Sequence, residues 1–410
     1  MALEATTTYY ARARYHSQHH GVSAWGPSVK FTTGGLFPRN EIAKIMHPTP
    51  TNSSQFGASL AIANEGLFAF ASEMNHALST PVGSVSSGQV VISALNGGTY
   101  SLHALLTVPV TDGSMRNYGW SIAISPDASH LFVTADGNSK VTGSIVVHRR
   151  EGSSWPVQQI ITAPNATAPN RFGRYFAVSH NGSVLVASVS SPSNQLLIFR
   201  NLAGTWTFES SYALANDSPR FNLSDDGSKL LIVYAGVAIN QGGQFEEYSY
   251  NGSSWTKETT FAIASDSGAN LLEMSCAVSG DGTRMVVATP YFPDGGGFRI
   301  LRKIDGSWIS SGSLSLVNEA GTFTGPYAVA MNRAGNFIAL NGEISAGSLA
   351  ALCCYSVNDS SIEYLYTLAN ADRESGDYFG LPVVLSADSK YLYTAAPNHT
   401  FRQGSTYVFA

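Results

Sequence analysis

The chain has 410 residues, a net charge of −5, only 12% charged residues and 44% hydrophobic ones. Such a chain can bury a large core, which excludes disorder, and its charge gives no global case for nucleic acid or an anionic membrane as a partner. The three cysteines, Cys276 and the adjacent Cys353 and Cys354, form neither a disulfide framework nor a zinc-type spacing.

The first 21 residues, MALEATTTYYARARYHSQHHG, hold no continuous apolar run. They do not read as a secretory signal, and no later stretch is apolar for long enough to span a bilayer. Residues 1–35 mix aromatic and basic side chains, with Glu4 as their only acid. Arginine and tyrosine are favoured anchors in protein interfaces, so this segment is expected to be a docking arm. Its contact residues would be Tyr9, Tyr10, Arg12, Arg14, Tyr15 and His16. His16, His19 and His20 form an H-x-x-H-H pattern, but the segment looks irregular and offers no nearby carboxylate or cysteine, so no metal is expected there.

The first clear strand-like run is Glu41–Met46, EIAKIM, followed by a Thr/Pro/Asn loop and Phe56-Gly57. The same succession returns at 155–173, WPVQQIITAPNATAPNRFG. The echo belongs to a repeat. Units such as 118-YGWSIAISPDASHLFVTA-135 and 172-FGRYFAVSHNGSVLVASV-189 recur, followed by 143-GSIVVHRREGSSWPVQQII-161 and 195-QLLIFRNLAGTWTFESSY-212. The residue closing the first run of each unit is Ala63, Ser125, Ser179, Ser224, Ser279, Asn332 and Ser386, at spacings of 62, 54, 45, 55, 53 and 54. Seven phased marks outweigh any single motif in the chain.

Each unit holds four short strand-like runs. Alternation shows in Ile122 and Ile124 and again in Leu131 and Val133, and tight turns such as Asn181-Gly182, Asp226-Gly227 and Asp281-Gly282 separate the first two runs. Four-stranded meanders repeated around an axis make an all-β, seven-bladed β-propeller over residues 36–410. The last unit ends at Phe409-Ala410 after its third run. The run 41–46 is therefore expected to supply the missing fourth strand, pair with 404–410 and close the ring. Two stacked β-sandwiches are the competing architecture, but they do not demand this phasing.

The pattern of Phe-Gly, small-apolar alternation, Ser-x-Asp-Gly, a Val/Leu run, Gly, an aromatic strand and Gly-x-Trp resembles the FG-GAP-type propeller repeat, as in the integrin α-subunit head and many bacterial and phage proteins. The resemblance covers about residues 41–410 and speaks to fold more than function. Many members carry a calcium loop of alternating acids. Here 224-SDDG-227 and 279-SGDG-282 have too few carboxylates for such a site, so no cofactor or structural calcium is expected and the aspartates read as turn formers. Trp155, Trp206, Trp255 and Trp308 recur at the start of the fourth run; the family pattern implies packing residues, against the alternative of sugar-stacking platforms.

In an up-and-down blade, the second-to-third and blade-to-blade connections share one face. Here they are the long ones: 73–88, 107–117, 289–297, 369–377 and 396–404. Long loops on a rigid face are the usual place for recognition. The ligand-face residues singled out are His76, Tyr291, Phe292, Asp294, Arg373, Glu374, His399 and Arg402. No Ser/His/Asp arrangement, carboxylate pair or phosphate loop stands out, so no catalytic residue is assigned. The composite expectation is a non-enzymatic virion protein of a phage, in its tail, fibre or exterior, that docks on other virion proteins by residues 1–35 and presents loops to a host surface glycan. An adhesion or lectin-like propeller at the cell surface and a polysaccharide-active propeller enzyme are the alternatives.

Overall fold

The computed structural model describes residues 8–12, 14, 16–17, 21–22, 26, 29–32, 37–50, 54–74, 77–80, 83–109, 115–135, 142–164, 170–190, 193–234, 243–263, 275–289, 297–311, 314–315, 317–318, 321–344, 349–359 and 361–410. The chain divides into two compact units, Met1–Pro38 and Arg39–Ala410.

The larger unit is a seven-bladed propeller of four-stranded antiparallel blades. Blade 1 is built from Leu60–Ile62, Phe68–Glu73, Gln89–Asn96 and Thr99–Thr107. Blade 2 follows with Tyr118–Ile124, His130–Ala135, Ser144–Arg149 and Val157–Thr162. Blade 3 uses Phe176–Val178, Val184–Val189, Gln195–Leu202 and Thr205–Ala213, and blade 4 Pro219–Leu223, Lys229–Tyr234, Gly243–Tyr250 and Trp255–Ile263. In blade 5 the fourth strand is split, because both Ser307–Ser310 and Leu314–Ser315 pair with Gly297–Ile304. Blade 6 begins at Val329–Met331 and carries an extra strand, Gly321–Thr324, against the far end of Phe337–Ile344. The first strands of successive blades touch one another in an unbroken circle, with the first strand of blade 7, Val383–Leu385, meeting that of blade 1. No helix among the described residues is long and apolar enough to cross a membrane.

Glu41–Met46 completes blade 7 as expected. It lies antiparallel to Ser405–Phe409, with Ser405 opposite Met46 and Val408 opposite Ala43. The register shifts between Val408 and Phe409. The same irregularity interrupts the pairing of third and fourth strands at Ile92/Ser93, Val147/His148, Ile198/Phe199, Glu247/Tyr248 and Cys354/Tyr355. A bulge of this kind sharpens local twist. The ribbon from near the chain's start thus reproduces the rim geometry of an ordinary fourth strand. The seam is reinforced beyond it, where Phe56 N–H donates to the Gln403 carbonyl at 3.1 Å and Gln55 N–H to that of Arg402 at 3.0 Å.

The repeat motif has a physical reading. The aromatics Phe56, Tyr118, Phe172 and Phe379 are fully buried between blades. The glycine after each lets the chain turn: Gly173 has φ +81°, and a Cβ there would stand 2.9 Å from Ile145 of the preceding blade. The Ser-x-Asp turn is a hydrogen-bond clasp. Ser224 Oγ donates to Asp226 Oδ1 at 2.6 Å, which also accepts from Ser228 N–H at 2.9 Å, while Lys229 N–H donates to Ser224 Oγ at 2.9 Å. Ser279 with Asp281 and Ser179 with Asn181 repeat it. These carboxylates act as turn acceptors.

The four tryptophans are core residues, none more than 7% exposed. Trp155 packs edge-on against Phe70 at 5.5 Å, Trp206 against Phe132 at 5.5 Å and Trp308 against Phe245 at 5.0 Å, each from one blade into the one before. Trp308 Nε1–H donates to Glu247 at 3.0 Å and Trp255 Nε1–H to Glu209 at 3.1 Å.

The N-terminal unit differs from the irregular arm expected of it. Thr8–Ala11 pairs antiparallel with Val29–Thr32, and His16–Ser17 with Gly21–Val22. Two of the expected loops also carry structure of their own. The 73–88 connection holds a hairpin, Ala77–Thr80 with Gly83–Ser86, and the 396–404 connection holds a single helical turn, His399–Arg402.

Candidate functional site

Each first strand runs along the central channel from the loop-bearing face to the face of the short turns. The residue after the buried aromatic-glycine pair therefore sits at the loop-side mouth. In blades 1, 2 and 3 that residue is Ala58, Trp120 and Arg174, and blade 4 contributes Arg220. Together with Tyr175, Asn222 and Cys276 they line a cavity of about 440 Å³.

The chemistry of this mouth is cationic and aromatic. The Arg174 guanidinium lies over the Trp120 ring at 4.7 Å and 5.9 Å from the Tyr175 centroid, while Arg220 lies over Tyr175 at 4.7 Å. Such stacking holds an arginine in place and leaves its N–H donors available. Arg174 Nε is buried without a hydrogen-bond acceptor. No ion pair is formed by either arginine among the described residues. Burial would raise the Tyr175 phenol, but Arg220, hydrogen bonds with Ser218 and Arg220, and Arg174 bring it below its ordinary value. Burial pushes the Cys276 thiol up to about 11, against a lowering contribution from Asn222, so it stays protonated at neutral pH. The described lining residues include no Asp, Glu or His.

The opposite mouth is different. The residues following those that close each first strand form its rim, among them Pro126, His180 and Arg333 around a cavity of about 620 Å³. Backbone bonds stitch the rim together: Asp225 N–H to the Gly280 carbonyl at 2.6 Å, and Gly280 N–H to that of Arg333 at 2.7 Å. Arg333 forms an ion pair with Asp225. A Cβ on Gly280 would stand 2.2 Å from an Asp225 carboxylate oxygen, so glycine makes room for that carboxylate. Burial lowers both Arg333 and His180, and Arg333 lowers His180 further. At this mouth Arg333 has a carboxylate partner, whereas among the described residues Arg174 and Arg220 at the other have none.

Of the loop-face residues read from sequence, His76, Tyr291, Phe292 and Asp294 lie outside the described residues. Glu374 and Arg402 are exposed, and Arg373 is half-buried. His399 is 4% exposed rather than presented to solvent. Its Nε2 lies 3.2 Å from both Lys44 Nζ and Asp372, and its Nδ1 3.8 Å from Asp377. Lys44 also binds Asp372, whose Oδ1 accepts from Tyr407 at 3.1 Å. His399 thus belongs to a network fastening the closing strand. A second buried set, His47 with Glu73 at 3.3 Å and Gln89, flanks the same seam, with Thr49 N–H donating to His47 Nδ1 at 3.1 Å. Both imidazole nitrogens are therefore engaged.

In the N-terminal unit, Tyr9 stands opposite Phe31 and Tyr10 opposite Lys30, His16 is opposite Val22, and Arg12 and Arg14 are exposed. Tyr15, His19 and His20 lie outside the described residues. Sequence reading missed Trp120, Arg174, Tyr175 and Arg220. A signal was present: blades 1, 2 and 3 share the aromatic-glycine pair, whereas the position after it changes from Ala58 to Trp120 to Arg174.

Comparison with solved structures agrees on architecture. The chain is similar to a chain of the hydrazine synthase of Kuenenia stuttgartiensis at 13% identity, covering 89% of this chain and 98% of that one, with a TM-score of 0.60. It is similar to the periplasmic gluconolactonase PpgL of Pseudomonas aeruginosa at 15% identity, covering 90% and 98%, with a TM-score of 0.53. A chain of a mitotic checkpoint complex matches at 13% identity over 92% and 96%, with a TM-score of 0.56. Identities this low establish the fold alone. No family model and no curated protein matches the sequence. Fold and comparisons together define the class: a seven-bladed β-propeller, shared by enzymes and non-enzymes.

Proposed function

We propose that this propeller is a non-enzymatic recognition module that takes its ligand at the loop-side mouth of the central channel. The observation that carries the reading is the Trp120–Arg174–Tyr175–Arg220 wall: two arginines with no carboxylate partner among the described residues face a cavity of ligand size. General acid–base chemistry needs a group that exchanges a proton near neutral pH. Among the described residues the lining holds no Asp, Glu or His, and its thiol, Cys276, is held protonated.

The attachment role read from sequence is part of this proposal: a virion or other surface assembly, FG-GAP-like in its repeat, docked by residues 1–35 and offering its loop face to a glycan. The gluconolactonase among the similar folds favours an enzyme instead. Hydrolysis of gluconolactone distinguishes the two. The recognition reading expects no rate above spontaneous hydrolysis; turnover lost on substitution of Arg174 or Arg220 overturns it.

A further inference from the structure

We infer that the loop-side mouth is an oxyanion-binding site, taking the carboxylate or phosphate of a small ligand between Arg174 and Arg220. The inference rests on the recognition reading above and gives its ligand a chemical class.

Three observations converge. Both guanidinium groups are positioned from beneath by aromatic rings, Arg174 by Trp120 at 4.7 Å and Arg220 by Tyr175 at 4.7 Å. An arginine so stacked loses little freedom on binding, and its planar array of N–H donors matches the paired oxygens of a carboxylate or phosphate. Second, the Nε–H of Arg174 is buried with no acceptor. A buried donor without a partner is costly, and an arriving oxyanion satisfies it. Third, the described lining adds the hydroxyls of Ser59 and Ser121 and the amide of Asn222, and no carboxylate among the described residues repels an anion there. Across the channel Arg333 has Asp225 as its counter-ion, although its own Nε is also buried without an acceptor. The cavity volume of about 440 Å³ admits a ligand the size of a monosaccharide.

Titration calorimetry on the full chain tests this with three probes sharing one ring: glucuronate, glucose 6-phosphate and glucose. At least one anionic sugar is expected to bind, more weakly as salt is raised, with glucose binding at least tenfold more weakly. Preference for glucuronate assigns a carboxylate ligand, and preference for glucose 6-phosphate a phosphate. R174Q and R220A are each expected to weaken the bound anion at least tenfold. R220A changes an exposed side chain, and melting curves of both variants show that the fold is intact. Failure of both anions to bind, or anion affinity unchanged in both variants, overturns the oxyanion assignment. Glucose bound as tightly as the anions, and lost in W120A, sinks the oxyanion while leaving recognition at the mouth. Any affinity indifferent to Trp120, Arg174 and Arg220 alike sinks both.

Discussion

Thr406 and Ile45 face each other across the outer edge of blade 7, and the Thr406 hydroxyl donates to the Ile45 carbonyl at 3.3 Å. Some 360 residues of ring lie between them, so this pairing is what turns seven sheets into a closed circle. Ile45 is the buried side chain of its strand and packs with Phe56, Leu60 and Val408.

Ile45→Ala is expected to destabilise the propeller by about 2–4 kcal/mol in denaturant unfolding, because a buried isoleucine leaves a cavity. Removing residues 1–46 exposes the edge of Ser405–Phe409 and is expected to cause aggregation, whereas removing residues 1–35 leaves the closing strand in place. Light scattering of the two truncations checks this.

Trp308 separates packing from hydrogen bonding. Trp308→Phe keeps an aromatic against Phe245 but leaves the buried Glu247 without one donor, a loss of about 1–3 kcal/mol. Trp308→Ala also empties the interblade space and is expected to cost about 3–5 kcal/mol. Equal losses in the two variants would contradict the interblade role.

Blade count and ring closure were legible in sequence because both depend on periodic, local chemistry. Phe-Gly and Ser-x-Asp-Gly mark places where the backbone has one workable solution, and the chain repeats them. The site was less legible. Arg174 and Arg220 lie 46 positions apart and meet at Tyr175 only because adjacent blades share a channel. His399 looked like a loop residue, yet Lys44, from the far end of the chain, helps bury it. Unlike the repeated Phe-Gly and Trp contacts, these meetings of residues from different blades carry no local sequence signature.

Glycine positions with similar backbone angles should differ in cost. Gly173→Ala places a methyl 2.9 Å from Ile145, while Gly182, at φ +66°, faces open space. The expected penalty at Gly182 is about 1–2 kcal/mol from the left-handed conformation alone, and that at Gly173 is larger. Thermal unfolding of the two variants measures the difference.

The seam also predicts an acid response. Partial burial raises the Asp372 carboxyl, but Lys44, with Tyr407 and His399, outweighs it and holds the group at about 2 against an ordinary 3.8. A depressed value stabilises the fold while the group is ionised. That contribution is complete above the ordinary carboxylate range and is lost as pH falls from about 4 towards 2. Asp372→Asn is expected to flatten the melting temperature across that window. An unchanged acid limb in the variant would show that the pair with Lys44 contributes nothing there.

The account turns on which mouth of the channel recognises a ligand, and a glycan array probed with three forms of the full chain measures it. The wild-type chain is expected to bind acidic glycans, the R174Q/R220A double variant to lose those signals, and H180A, altered on the opposite face, to keep them. An array silent for the wild type, or one on which the double variant binds as the wild type does, contradicts the account.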